Sequence, residues 1–524
     1  MKQEAQFEKP VSPTFEKVWF CRLGAWRTDL LTRGLGFMLY LACIGHWGKA
    51  SIPHYLQRFP LASPLLGICG VALMLSGPRL IILLPTFLSS AHFIWLVLHG
   101  IAGSGLRQQA AEYPIMMLVP GYLALLAISL FIARRRVECG WRRFNEDYEQ
   151  NAVLIFRWLA LTTLFFAGFH KLNSDFFTPS VSCEQVVKQY ALRNWSLPGL
   201  ESALGMTSPL LIVVLESVAP IVLLLQCRRV GVVVVTTFFG GIALTDALVV
   251  TLCIILPSLA FLEMEDWEAL RKGWKKMAFG VLAILVVWLP MSAAQYRGSR
   301  PWLQPALYQC ILISTLAAMI FLCLKDLAAA LKRMRVQPCK SVLKDSLNAF
   351  GWGRPVMFHW AWPDGGILAA WIAILFLNGL SPYLGIKFNY SFAMLSNLRV
   401  DDARWNHFIV PKWVRLTPYD GYVHVLFAEV RAEEARLLAP KVRGLRLKPG
   451  LFSPQAIHEI LNQLQREEGE VELKLLVEYK GKALDYSGFV TEPAFDLFRA
   501  QLPAPNGHWL HDYLAADGPM GCKH

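Results

Sequence analysis

The residues with chemical potential in this chain are ionisable groups set in, or at the edge of, apolar runs, where charge is costly. Lys171 follows His170 near the end of AVLIFRWLALTTLFFAGFHKLNSDFF, residues 152–177. This run reads as one membrane-spanning helix, since about 20 apolar residues suffice to cross the hydrocarbon core. A lysine at such an end has two readings. It can snorkel to the interface as an anchor. Partly desolvated, with its pKa drawn down from about 10.4 toward neutrality, its free amine can act as a general base. Glu216 lies mid-run in SPLLIVVLESVAPIVLLL and must be neutral, paired or facing a cavity. His46, His99 and Asp246 fall near the ends of other apolar runs and are supporting candidates with His170.

These residues need an apolar scaffold, and the composition supplies one. The chain has 524 residues, 55% hydrophobic and 17% charged, too little charge for an ordinary soluble protein of this length. The net charge of +13 sits mostly in short loops between apolar runs. That pattern fits the positive-inside rule and argues against a nucleic-acid partner. Eleven cysteines are scattered without a CxxC or paired Cys/His spacing, so no metal is expected. The first 25 residues lack an apolar h-region, so no cleaved signal peptide is expected.

The expected fold class is an all-α polytopic membrane bundle with about 8–11 membrane helices, some short or re-entrant. Candidate spans are 28–47, 61–77, 80–103, 113–133, 152–172, 208–227, 230–262, 277–293, 302–325 and 367–385. Residues 1–27 form a cytoplasmic segment, 28–385 the transmembrane domain, and 386–524 a small non-cytoplasmic α+β domain. Arg33 must snorkel or pair, and Pro85 and Pro120 predict kinks. The stretch 230–262 is long for one span, and Phe239-Gly240-Gly241 is a candidate break for a hairpin. Loop arginines and lysines place the N-terminus, Arg228 and Arg229 in the cytoplasm, and the Lys171 end and the tail outside. Cys183 and Cys522 then lie outside, where a bridge between them is permitted. In the tail, Val471, Leu473, Leu475 and Val477 alternate as one strand face, and Ser453-Pro454 opens a helix carrying Ile457, Ile460, Leu461 and Leu464. His407 and His424 read as surface or packing histidines.

The segment Arg157-x9-Ala167-Gly168-x-His170-Lys171-Leu172-Asn173-x-Asp175 resembles a helix of the horizontally transferred transmembrane (HTTM) family, which includes the vitamin K-dependent gamma-glutamyl carboxylases. The carboxylase pattern is an arginine, an apolar helix, then Ala-Gly-x-Lys-Lys-Leu-Asp-x-Asp. Here His170 replaces the first lysine, Lys171 retains the second, and Asn173 stands where the aspartate would be. The likeness extends loosely over 28–290. It implies Lys171 as the base that deprotonates a quinol, with reduced vitamin K or another quinol as cofactor and a membrane lipid or quinone as partner. The carboxylase Phe-His-Cys-Met-Asn stretch corresponds here to Phe239-Gly240-Gly241-Ile242-Ala243, without the histidine. Two functional readings stand: a carboxylase-like membrane enzyme acting on a lipidic substrate near the outer leaflet, or a non-catalytic protein that binds or moves a lipid or anchors an outward domain. For Lys171, Asp175 is the nearest acid in sequence, one turn on.

Overall fold

The computed structural model describes residues 62–76, 140–196, 199–243, 254–296, 303–336, 364–385, 396–400, 405–416, 423–432, 449–452, 454–466, 471–504 and 513–514, with positions 31, 33, 34, 36, 85, 86 and 88. The described part is mostly helical, with one small antiparallel sheet. Two of its helices are long and apolar enough to cross a membrane, Pro209–Gln226 and Met264–Gln295, and shorter apolar stretches cover Val153–Phe169 and Ala369–Leu380. The expected spans 80–103 and 113–133 lie almost wholly, and 28–47 mostly, outside the described residues, as do Pro120, Ser453 and Cys522.

Helix α1, Ala62–Ser76, covers the apolar run at 61–77. Arg33, expected to snorkel or pair, donates from Nη1 to the carbonyls of Met74 and Leu75 at 2.9 and 2.6 Å. Those carbonyls belong to the last turn, which has no helical donors of its own, so the guanidinium caps the helix.

Helix α2 runs Gly140–Phe169. It starts before the apolar run and stops before Lys171, so the expected helix over 152–177 is corrected at both ends. The stop has a local cause. Asn173 Oδ1 accepts from the Phe176 amide at 2.9 Å and its Nδ2 donates to the His170 carbonyl at 2.7 Å. An asparagine side chain that serves nearby backbone groups in this way competes with the helical ladder and ends it.

Two short helices follow, α3 (Cys183–Asn194) and α4 (Leu200–Gly205), before α5 descends over Pro209–Gln226. Helix α6, Arg228–Ala243, is continuous through Phe239, Gly240 and Gly241, so the chain does not break there. The two ends of the stretch nonetheless meet. Arg228 pairs with Glu263, which joins the two ends of the 230–262 stretch, and α6 packs against the 3-10 turn Leu259–Phe261. Helix α7, Met264–Gln295, opens with a capping box between Glu263 and Asp266. Helix α8 spans Leu303–Val336. Arg229 pairs with Asp266 and with Asp326, tying α6, α7 and α8 together at one end. At the opposite end of α7, Trp195 bridges to Tyr296. Helix α9, Asp364–Leu380, ends where α2 ends, because Tyr383 bonds His170.

The sheet has strand order β4-β3-β1-β2-β5, with β1 Val423–Ala432, β2 Gly450–Phe452, β3 Val471–Tyr479, β4 Lys482–Phe489 and β5 Tyr513–Leu514. The alternating face of β3 is buried at Val471, Leu473, Leu475 and Val477. Helix α10, Pro454–Arg466, buries Ile457, Ile460, Leu461 and Leu464 in the same core, and α11, Pro493–Gln501, adds Phe495 and Phe498.

Candidate functional site: a buried lysine and glutamate

Past its last residue, α2 leaves carbonyls without ladder donors. The Lys171 amide bonds Gly168 rather than Ala167, at 3.0 Å, which frees the Ala167 carbonyl. The Lys171 ammonium turns back along its own helix and donates to that carbonyl at 3.0 Å. A snorkelling lysine extends the other way, beyond the helix end toward water. This one is 3% exposed, with its Nζ 2.8 Å from Oε2 of Glu216, itself 5% exposed. The contact is short but poorly aligned, and Oε2 makes no properly angled hydrogen bond, so it is an ion pair held by charge. Asp175, the acid expected nearest Lys171, instead accepts from the Ser174 hydroxyl at 3.1 Å.

Glu216 is brought to the lysine by a defect in α5. Residues Val214–Val218 form a π-turn, in which the Ala219 amide reaches back five residues to the Val214 carbonyl. Pro220 accounts for the slip. It has no amide hydrogen, so the Glu216 carbonyl lacks its usual donor four residues on. Such turns recur at functional positions. The next residue, Ser217, packs on Gly168 so closely that a Cβ there would meet the Ser217 Cβ at 2.3 Å. A glycine at 168 is therefore needed for α2 and α5 to approach and for the pair to form.

Aromatic rings line the neighbourhood. The Lys171 ammonium sits 5.8 Å from the Phe176 ring centroid. His170 stacks on Phe166 at 5.4 Å, and its Nδ1 lies 2.8 Å from the Tyr383 hydroxyl. Phe169 packs between Tyr383 and His407.

The end of α2 is clamped by a later strap, residues 396–400 and 405–416. Asn173 Nδ2 also donates to the Ser396 carbonyl, and Asn406 Nδ2 donates to Asn173 Oδ1 at 3.2 Å. Asn397, in the left-handed region at φ 53°, accepts the Cys183 amide and donates to the Val181 carbonyl. His407 Nε2 bonds the Phe169 carbonyl at 2.9 Å, while its Nδ1 accepts the amides of Ile409 and Val410. Those partners fix the neutral tautomer, with the proton on Nε2. Burial pushes the His407 pKa below its ordinary value, against a smaller upward pull from the Phe169 carbonyl. His407 is thus a buried packing histidine, and half-exposed His424 lies 4.0 Å from Glu478 in the sheet.

Of the expected site residues, Lys171 and Glu216 come together, His170 turns instead to Tyr383, and His46, His99 and Asp246 lie outside the described residues. Tyr383 and the strap were missed. Glu216, expected to be neutral, paired or facing a cavity, is the partner of Lys171, and Pro220 four residues on was the signal of its displaced backbone. Arg157, the first residue of the motif, donates to the Ala260 carbonyl at 2.9 Å and sits over the Phe261 ring, joining α2 to the 3-10 turn Leu259–Phe261. No protein-family model matches the chain, and no curated protein or solved structure matches it.

Proposed function

We propose that the chain is a multi-pass membrane enzyme that takes a proton from a quinol or another lipidic hydroxyl, with Lys171 as the base. The observation that carries this reading is the inward-turned, buried Lys171–Glu216 pair at the end of an apolar helix. Ionisable groups kept at such depth mark proton or ligand sites by default. The likeness of 157–175 to the HTTM helix supports the same lysine.

Glu216 changes what the base must do. As an ammonium, Lys171 cannot accept a proton. Passing its proton to Glu216 gives a neutral amine beside a neutral acid, with the net charge of the pair still zero. Attack by that amine on a substrate O–H breaks the O–H bond, forms N–H, and leaves an oxyanion beside a pair now carrying one positive charge. The substrate anion and the pair then balance each other in a low-dielectric site. The Phe176 ring beside the ammonium gives the base one aromatic neighbour.

Membrane placement is supported by what α7 leaves uncovered. Only 6% of its most apolar window is buried, whereas the core helix of a soluble protein is mostly buried. Phe279, Leu282, Val286, Val287 and Met291 are each more than half exposed. In water each would forgo about 1–2 kcal/mol of burial. For orientation, Cys183 is disulfide-bonded, and it lies at the Lys171 end. A disulfide belongs in an oxidising compartment. Arg228, Arg229, Arg271 and Lys272 gather toward the opposite end, as the positive-inside rule requires of the cytoplasmic side. Lys171 then faces the outer leaflet.

The capping bond from Lys171 to the Ala167 carbonyl favours a second reading, a structural lysine in a non-catalytic lipid-binding protein. Reduced vitamin K and oxygen, supplied to the purified protein in nanodiscs, separate the two. The enzyme reading expects quinol loss with epoxide formation, reduced about 10²–10⁴-fold in both Lys171→Ala and Lys171→Arg. Wild-type protein that leaves the quinol unchanged removes that substrate, and a fully active Lys171→Arg removes the base.

A further inference from the structure

The second half of the strap, Trp405 to Leu416, is inside out. Its polar side chains Asn406 and His407 are buried, while Phe408, Ile409, Trp413 and Leu416 are 60, 61, 82 and 72% exposed. The sequence is Phe-Ile-Val-Pro-Lys-Trp-Val-Arg-Leu from 408 to 416, with a 3-10 turn at Lys412–Val414. An exposed apolar cluster of this kind marks a contact surface.

Its position says which surface. The Phe408 amide donates to the Leu172 carbonyl at 2.9 Å, and the Leu416 amide to the Leu384 carbonyl at 3.2 Å. The strap therefore lies across the ends of two apolar stretches, Val153–Phe169 and Ala369–Leu380. Where apolar helices end, a bilayer gives way to headgroups. The composition matches that level, with tryptophan among aliphatic residues and exposed Lys412 beside it. Phe177 continues the surface, 5.8 Å from Phe408.

We infer that the turn at 408–416 inserts into the headgroup–acyl boundary of the leaflet at the Lys171 end. Its apolar side chains enter the acyl region, and exposed Lys412 lies at the headgroup level. Because the same strap clamps the end of α2, the lipid surface is held directly beside the Lys171–Glu216 pair. The inference rests on the reading that the helices span a membrane.

The test uses the full chain in nanodiscs containing phosphatidylglycerol, with a fluorescent amino acid placed in turn at positions 413, 287 and 482. Lipids carrying a quencher at the headgroup–acyl boundary should quench position 413. Mid-chain quenchers should act best at position 287 on α7, and iodide at position 482 in the sheet. A probe at position 416 serves as a second site should 413 disturb the turn. Iodide quenching at both 413 and 416, with 287 quenched by lipid, overturns the insertion and leaves the membrane reading intact. Shielding of 413 and 416 from both quenchers marks a protein contact and also overturns it. Iodide quenching at 287 overturns the membrane reading and this inference with it.

Discussion

Lys171 Nζ and Glu216 Oε2 lie 2.8 Å apart, although one residue follows the end of an apolar helix and the other sits in the middle of one. The lysine reaches back along α2, and the chain passes through α3 and α4 before α5 brings the glutamate alongside. Each charge is buried only because the other is present.

Removing one partner should therefore harm more than removing both. Glu216→Gln and Lys171→Met are each expected to destabilise by about 3–5 kcal/mol, and the Lys171→Met/Glu216→Leu double variant to recover most of that loss. Thermal unfolding in one detergent compares the three. A double variant no more stable than its parents would show that the two charges do not compensate each other.

Asn173 stands where the carboxylase pattern has an aspartate, and the strap explains the difference. Its Nδ2 serves two buried carbonyls, those of His170 and Ser396. An aspartate has no hydrogens to give them. Asn173→Asp should cost at least about 1–3 kcal/mol for each carbonyl left unpaired. The strap should then become protease-sensitive between 396 and 416 before the helices unfold. Unchanged cleavage would mean that the clamp is held elsewhere.

The strap should also loosen in acid. The folded pKa of His407 lies below its ordinary value of 6.5, so folding favours the neutral ring. Its stabilising contribution is complete above about pH 6.5 and is lost as pH falls through the lowered folded value. Protonation would set an Nδ1–H against the amides of Ile409 and Val410. Amide hydrogen exchange at 405–416 should accelerate over that interval, and His407→Gln should flatten the response. Exchange that tracks pH equally in the variant would assign the effect to another group.

The Cys183 disulfide should report the orientation of the chain. A digest without reductant is expected to yield a peptide joining Cys183 to Cys522, the other cysteine expected outside. Alkylation of Cys183 under denaturing conditions without reductant would contradict both the bond and the compartment.

How much of this could be read from residues alone varied with the range of the interactions. The β3 alternation and the helix at 454–466 were legible because their patterns are local and one face of each is buried. Lys171 was legible through its neighbours in sequence. Its partner was not, since pairing it with Glu216 depends on how far α5 descends and on a helical slip that periodicity does not encode. The break expected at Gly240-Gly241 failed because glycine permits a turn without requiring one, and helix packing outweighed the preference. The strap was invisible for the opposite reason. Asn406, His407 and Phe408 carry no periodic signal, and their bonds reach residues more than two hundred positions away.

The π-turn at 214–218 also governs how α5 tolerates change. A five-residue loop of backbone within a helix holds one residue more than the regular ladder needs, so it is a reservoir of slack. Deleting Val214 would remove that slack locally, and the two halves of α5 would keep their facings because the wider turn already holds the extra residue. Ser208 to Val213 and the lower half of α5 would keep their neighbours. Length variation here is therefore absorbed within one turn rather than as a loop or as rotation of the whole helix. A relative lacking the extra residue would aim the glutamate position differently at the lysine, even with every other residue unchanged.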